Sequence, residues 1–257
     1  MPADIAIFVA PSCSNRVAMV GALLVEPTDP DCTAGAIYFN AEKVLGMCGS
    51  GTIGLAATLM HTGRIGLGDH RIETPASVVN IEVRDANTMT MANVESYRAP
   101  QAVPIEIEGL GTIFGDVAYG GNWFFIVEPT PIAVTPDNLR RLTDATVAVR
   151  ERLEADGITG DDGAPIDHVI FCGPAAGDGA HGRNFVLCPD NAYDCSLRGA
   201  GSSTRFVCLA ADGGLGKGEE IVWESVIGGR YRLSYRKGPT GGVIAADHRS
   251  GPRDRAV

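Results

Sequence analysis

A cysteine stands directly ahead of a Gly-x-Gly turn at Met47-Cys48-Gly49-Ser50-Gly51-Thr52, and an apolar run with helical spacing follows it. The first amides of a helix have no acceptor inside the helix, and the helix dipole adds partial positive charge there. Such a turn favours an anion, and a small carboxylate fits. The same field stabilises a thiolate, which lets Cys48 accept a proton near neutral pH. The competing reading is a structural cysteine buried beside a tight turn. The spelling Gly49-Ser50-Gly51-Thr52-Ile53-Gly54 also matches a dinucleotide-binding loop, but the βαβ context that such a loop requires is missing.

The turn has an echo. Arg198-Gly199-Ala200-Gly201-Ser202 repeats its spacing 150 residues later. In the same register Leu59 meets Leu209, Gly63 meets Gly213, Gly66 meets Gly216 and Gly68 meets Gly218. So long a match without a gap implies an internal duplication, each copy carrying a Gly-x-Gly turn, a helix of about ten residues and a glycine C-cap. Two such helix starts facing one another would grip one carboxylate from both sides. The expected division is a first lobe over residues 1–120 with the Cys48 loop and a second over 121–257 with the Arg198 loop.

These loops must be held by strands. Alternating apolar residues recur through Val17–Leu24, Gly35–Asn40, Arg71–Val83, Thr88–Val94, Val103–Glu108 and Thr112–Glu128. They resume at His168–Cys172, Asn184–Cys188, Ile221–Ile227 and Arg230–Arg236, the last with Tyr231, Leu233 and Tyr235 on one face. One long helix is expected from Thr135 as N-cap, with Pro136 at its first position, through Leu139, Leu142, Thr146, Val149 and Leu153 to Gly157. The class is α+β.

Composition narrows the partners. With 45% hydrophobic and 20% charged residues the chain is an ordinary globular one, and a net charge of −10 without a dense Lys/Arg run argues against nucleic acid. The apolar run Ile5 to Ala10 is too short to span a bilayer and has no positive flank, so it reads as a strand. Seven scattered cysteines with no C-x-x-C pair fit neither a disulfide framework nor a zinc site, and imply a reducing cytoplasm. No metal and no membrane partner is expected, and a homodimer is left open.

The turn sequences make a family resemblance specific. Met47-Cys48-Gly49-Ser50-Gly51-Thr52-Ile53-Gly54 resembles the M-C-G-H-G-T-I-G signature of proline racemases and hydroxyproline epimerases, and Tyr193-Asp194-Cys195-Ser196-Leu197-Arg198-Gly199-Ala200-Gly201 is similar to their second signature, Y-D-R-S-P-C-G-T-G. Gly120-Gly121-Asn122-Trp123, Ile166-Asp167-His168 and Arg183-Asn184-Phe185-Val186-Leu187-Cys188-Pro189 are also similar to epimerase stretches. The resemblance implies two pseudo-symmetric β-rich lobes, each wrapped round a central helix as in diaminopimelate epimerase. It implies cofactor-independent exchange of the α-proton of proline or 4-hydroxyproline between two cysteines on opposite faces.

By this resemblance Cys48 takes the place of the first catalytic thiol and Arg198 that of the second. Gly49, Ser50 and Gly51 fall at the first substrate-binding turn, Gly199 and Ala200 at the second, and His168 and Asp194 at positions that contact substrate. His168 has the alternative of a satisfied polar pair with an Asp, and Asp194 that of a turn or cap residue. Ser50 replaces the family's His, Arg198 its second Cys, and Cys195 its Arg. A guanidinium carries no usable lone pair, so Arg198 suits a carboxylate contact and not proton transfer, while Cys195 is a possible substitute thiol only in a rearranged loop. Relative to the family the chain begins late, and the tail Gly238–Val257 is expected to be solvated or frayed. Two other activities stay open. One is dehydration of trans-3-hydroxyproline, which needs one thiol, and the other is carboxylate binding without turnover. Restoring the second thiol with Arg198→Cys is expected to raise racemisation measured by chiral chromatography, and no rise would count against the role given to position 198.

Overall fold

Turn residues cut the alternating segments into short strands. In chain order these are β1 (Gly21–Val25), β2 (Ala34–Phe39), β3 (Val44–Leu45), helix α1 (Gly49–His61), β4 (Gly68–Glu73), β5 (Val78–Asp85), β6 (Thr88–Ala92), β7 (Tyr97–Arg98), β8 (Val103–Ile107), β9 (Gly111–Tyr119) and β10 (Trp123–Val127). Helix α2 (Leu139–Ala155), β11 (His168–Gly173), β12 (Gly182–Leu187), β13 (Tyr193–Asp194), α3 (Gly199–Ala211), β14 (Ile221–Ser225), β15 (Arg230–Lys237) and β16 (Val243–Ser250) follow. The computed structural model describes residues 20–40, 43–85, 88–194, 199–214, 216 and 219–250. Arg198 and Cys195 lie outside them.

The duplication is visible in three dimensions. Helices α1 and α3 are each 13 residues long and occupy the same places in the repeat, three residues longer than expected. Both end alike, with Gly63 and Gly213 at φ +70°. Arg64 N donates to Leu59 O (2.8 Å) as Gly214 N does to Leu209 O (2.9 Å), so the glycine supplies the left-handed step of a Schellman end in both copies.

Each helix buries an apolar stripe in its own core. Helix α1 sets Leu55, Ala56 and Leu59 against Tyr38, Ile72, Ile81 and Met91 from the strands around it. Helix α3 sets Phe206, Val207 and Cys208 among Phe124, Ile126, Ile170 and Leu233. Strands β10, β11 and β12 are covered on both faces. Phe124, Ile126 and Ile170 face the α3 core, whereas Phe125, Val127, Val169, Phe171 and Phe185 face a third core closed by Leu142, Val149 and Leu153 of α2. That double burial explains their nearly continuous apolar sequences. Pairing is antiparallel except for β2 with β4, β10 with β11 and β12 with β14.

Two further details differ from expectation. Thr135 makes no capping bond, and Pro136–Asn138 form a 3-10 turn, so α2 starts three residues later with Asn138 as its cap. The supposed frayed tail contains β16, which pairs antiparallel with β15 on one side and β6 on the other. Val243 and Ala245 turn inward, a weak apolar signal in sequence, and the Glu95 carboxylate receives Gly242 N (2.7 Å) and Thr240 N (3.1 Å) to shape the preceding turn. The strand exists because two neighbouring strands offer backbone partners, which its own composition does not reveal.

Glu224 ties β14 to its surroundings. Its buried carboxylate accepts from Arg183 Nη2 (3.1 Å), Arg230 Nε (2.9 Å) and Ala176 N (3.0 Å). The Ala176 amide, and then Arg230 and Arg183 working against burial, hold this carboxyl below its usual range. A depressed folded-state pKa gives stability that is full above the unfolded value and disappears as pH falls through the folded one. Glu224→Gln is therefore expected to cost about 2 kcal/mol in urea unfolding at pH 7, with the gap to the unsubstituted protein narrowing in acid.

Candidate active site

Cys48 is the N-cap of α1, with extended backbone at φ −140° and ψ 108°, and is almost fully buried. Its Sγ accepts the amide of Gly51 at 3.4 Å, so the thiol takes the place that a hydroxyl or carboxylate oxygen fills at most helix starts. Its carbonyl accepts both Thr52 N (2.8 Å) and Thr52 Oγ1 (2.9 Å). Because the Thr52 hydroxyl donates there, it receives the hydroxyl of Tyr38 at 2.8 Å. Tyr38 is fully buried, and burial pushes its phenol far above the usual range, so it remains a neutral donor. The thiol, the glycine turn and the first residues of α1 are thus pinned to β2.

A second set of contacts joins this loop to the start of α3. Asn122, in the turn between β9 and β10, donates to Met47 O at 2.8 Å, and Asn93 donates to Gly120 O (3.3 Å) and to Ser203 Oγ in α3 (2.6 Å). A short path of bonds therefore runs from the residue before Cys48, through the Gly120–Asn122 turn, to the fifth residue of α3. The two helices also touch. Residues Gly199 and Ala200 open α3 as Gly49 and Ser50 open α1.

His168 begins β11 and is fully buried, with its ring stacked on Phe124 at a centroid distance of 4.6 Å. Its Nδ1 meets Asp167 Oδ1, so the polar pair admitted from the sequence is present, and the other Asp167 oxygen meets Lys43 Nζ. Burial pushes the Asp167 carboxyl up, but His168 and Lys43 outweigh it and hold the group well below the usual carboxylate range. Phe124 follows the Gly120–Asn122 turn by two residues, which places His168 at the sheet end that holds the Cys48 loop. Asp194 is half-buried on β13, opposite Val186 of β12, four residues ahead of Arg198. Among the described residues no group of three or more His, Cys, Asp or Glu side chains could hold a metal ion.

The sequence pattern had offered no role for Tyr38, Lys43, Asn93 or Asn122. A glycine pair beside Asn122 marks a turn, but nothing local says which carbonyl its amide reaches 75 residues away.

The family description "Proline racemase" matches residues 7–246. The chain belongs to the proline racemase family. A 4-hydroxyproline 2-epimerase of Ruegeria pomeroyi is 58% identical over 230 residues, covering 90% of this chain and 74% of the relative. Another, of Roseibium aggregatum, is 56% identical over 227 residues, covering 88% and 73%. Among solved structures, a hydroxyproline epimerase from Agrobacterium vitis with bound trans-4-hydroxy-L-proline has a TM-score of 0.82 at 23% identity, covering 90% of this chain and 71% of that one. A probable proline racemase from Agrobacterium radiobacter with bound carbonate has a TM-score of 0.83 at 21% identity, covering 91% and 74%. These likenesses show the two-lobed α+β fold of the family.

Gly51 allows a test of the helix start in this family member. A Cβ there would lie 2.9 Å from the Tyr38 ring and 3.3 Å from Cys48 Cβ, and Tyr38 is held at its hydroxyl. Gly51→Ala is expected to lower stability by about 1–3 kcal/mol in thermal unfolding, whereas Gly66→Ala, with nothing within 4 Å, leaves it nearly unchanged.

Proposed function

We propose that this protein is a cofactor-independent amino-acid epimerase or racemase that exchanges the α-proton of 4-hydroxyproline or proline. The observation that carries the reading is Cys48 as the N-cap of α1, its sulfur accepting the Gly51 amide of the first turn. The substrate carboxylate sits on the amides of the Cys48-Gly49-Ser50-Gly51 turn and of the turn at Gly199 and Ala200, where helix dipoles offset the charge that develops as the α-proton leaves. Cys48 Sγ is the base. His168 and Asp194 contact the rest of the substrate. The names and high identity of the relatives support 4-hydroxyproline as the first substrate to try.

Arg198 gives the opposite face a different character. A guanidinium there binds the carboxylate but neither takes nor returns a proton, so inversion is slower than in a two-thiol site. In this reading residues 1–120 form the lobe of the Cys48 loop and residues 121–257 that of the Arg198 loop. A reducing cytoplasm suits the buried free thiols of Cys32, Cys172 and Cys208. No helix among the described residues is long and apolar enough to cross a membrane.

Incubation with trans-4-hydroxy-L-proline, L-proline and 3-hydroxyproline in deuterated water tests this. Deuterium at Cα with some inverted product is expected, and Cys48→Ser should lower the exchange by on the order of 10²–10⁴-fold, the usual share of a positioned acid or base. Loss of water from 3-hydroxyproline alone would replace the reading with a dehydratase. Saturable binding with no Cα exchange would replace it with a binding protein.

A further inference from the structure

Behind His168, which the reading above sets against the substrate, Lys43 and Asp167 continue a run of charged and polar groups to which that reading gives no part. Lys43 stands just before β3, five residues ahead of Cys48, whereas Asp167, 124 residues further along, directly precedes His168 at the start of β11. One oxygen of Asp167 takes Lys43 Nζ and the other takes His168 Nδ1. The histidine is fully buried, the Asp167 side chain is 16% exposed, and that of Lys43 is 33% exposed, so the run passes from solvent into the interior.

Two consequences follow from elementary chemistry. An ionised carboxylate only accepts hydrogen bonds, so the ring nitrogen facing it must carry a proton, and the His168 tautomer is set by Asp167. A carboxylate held at one oxygen alone rotates about its last bond, whereas one held at both oxygens is locked, so Lys43 decides how firmly Asp167 holds the ring. The placement is also specific. Lys43 to Asp167 and Met47 to Asn122 are two cross-links between the same parts of the molecule, and they bracket β3 and the approach to the thiol. Phe124, on which His168 stacks, belongs to the strand that Asn122 introduces.

We propose that Lys43 is a positioning residue for the site: through Asp167 it fixes the ring orientation and the Nδ1 proton of His168, so that the segment leading to Cys48 sets the state of a histidine on β11. The inference rests on the epimerase reading for its effect on substrate, but not for its effect on the imidazole.

The test uses the full chain carrying ¹⁵N-labelled histidine, with the His168 signals assigned from their loss in His168→Gln. In the unsubstituted protein a single tautomer protonated at Nδ1 is expected. Lys43→Met should turn it into a mixture and raise KM for the exchanged amino acid about tenfold while kcat changes by about twofold or less, as expected for a lost orienting charge contact. Lys43→Arg, which keeps the pair, should restore both. Asp167→Asn should remove the Nδ1-protonated preference. An unaltered tautomer and KM in a folded Lys43→Met protein would overturn the proposal, as would loss of stability without either change. If the unsubstituted protein exchanges no Cα deuterium, the epimerase reading fails, and the tautomer and the Kd for L-proline still decide the role of Lys43.

Discussion

Backbone amides at a helix start act on an anion only while the first turn keeps its shape, because each donor must point to one place. Here that shape rests on one line of hydrogen bonds: Tyr38 hydroxyl to Thr52 hydroxyl, Thr52 to the Cys48 carbonyl, and the Gly51 amide to the Cys48 sulfur. All four residues are buried, so water does not readily replace a lost partner. The thiol is itself part of the cap. Gly51 is small because the Tyr38 ring occupies the space that a side chain would take.

The same constraint reaches the other helix through the Gly120–Asn122 turn. Asn122 and Asn93 satisfy carbonyls on either side of it, so the approach to Cys48 and the first turns of α3 hang from one short segment. That segment is in turn held by β10, whose side chains are buried alternately against α3 and α2. Tight packing on both faces gives the turn a rigid base. The approach to Cys48 and the start of α3 thus depend on the same sheet.

Legibility from sequence followed the range of the forces involved. The copied helices, their glycine ends and the cysteine at the first cap were readable because each is decided within a few residues: a left-handed step favours glycine, and a helix start exposes its own amides. The central strands were readable because burial on two faces leaves a dense apolar run. The start of α2 was misplaced by one turn, since Thr135-Pro136 satisfies the rules for a cap while a 3-10 turn fits the chain better there. Strand β16 was missed because Val243-Ile244-Ala245-Ala246 carries little apolar surface, and its pairing partners are remote in the chain.

By itself, then, the order of residues determined that Cys48 precedes a glycine turn, that the turn recurs 150 positions later with Arg198 ahead of it, and that both turns begin helices. Only the tertiary structure decided that Asn122 holds Met47, that Asn93 reaches Ser203, and that Lys43 and His168 share Asp167. The reason is physical. Caps and turns are set by neighbours along the backbone, whereas the contacts of Asn122, Asn93 and Lys43 join groups 75 to 124 residues apart, and their partners are chosen by how the strands stack.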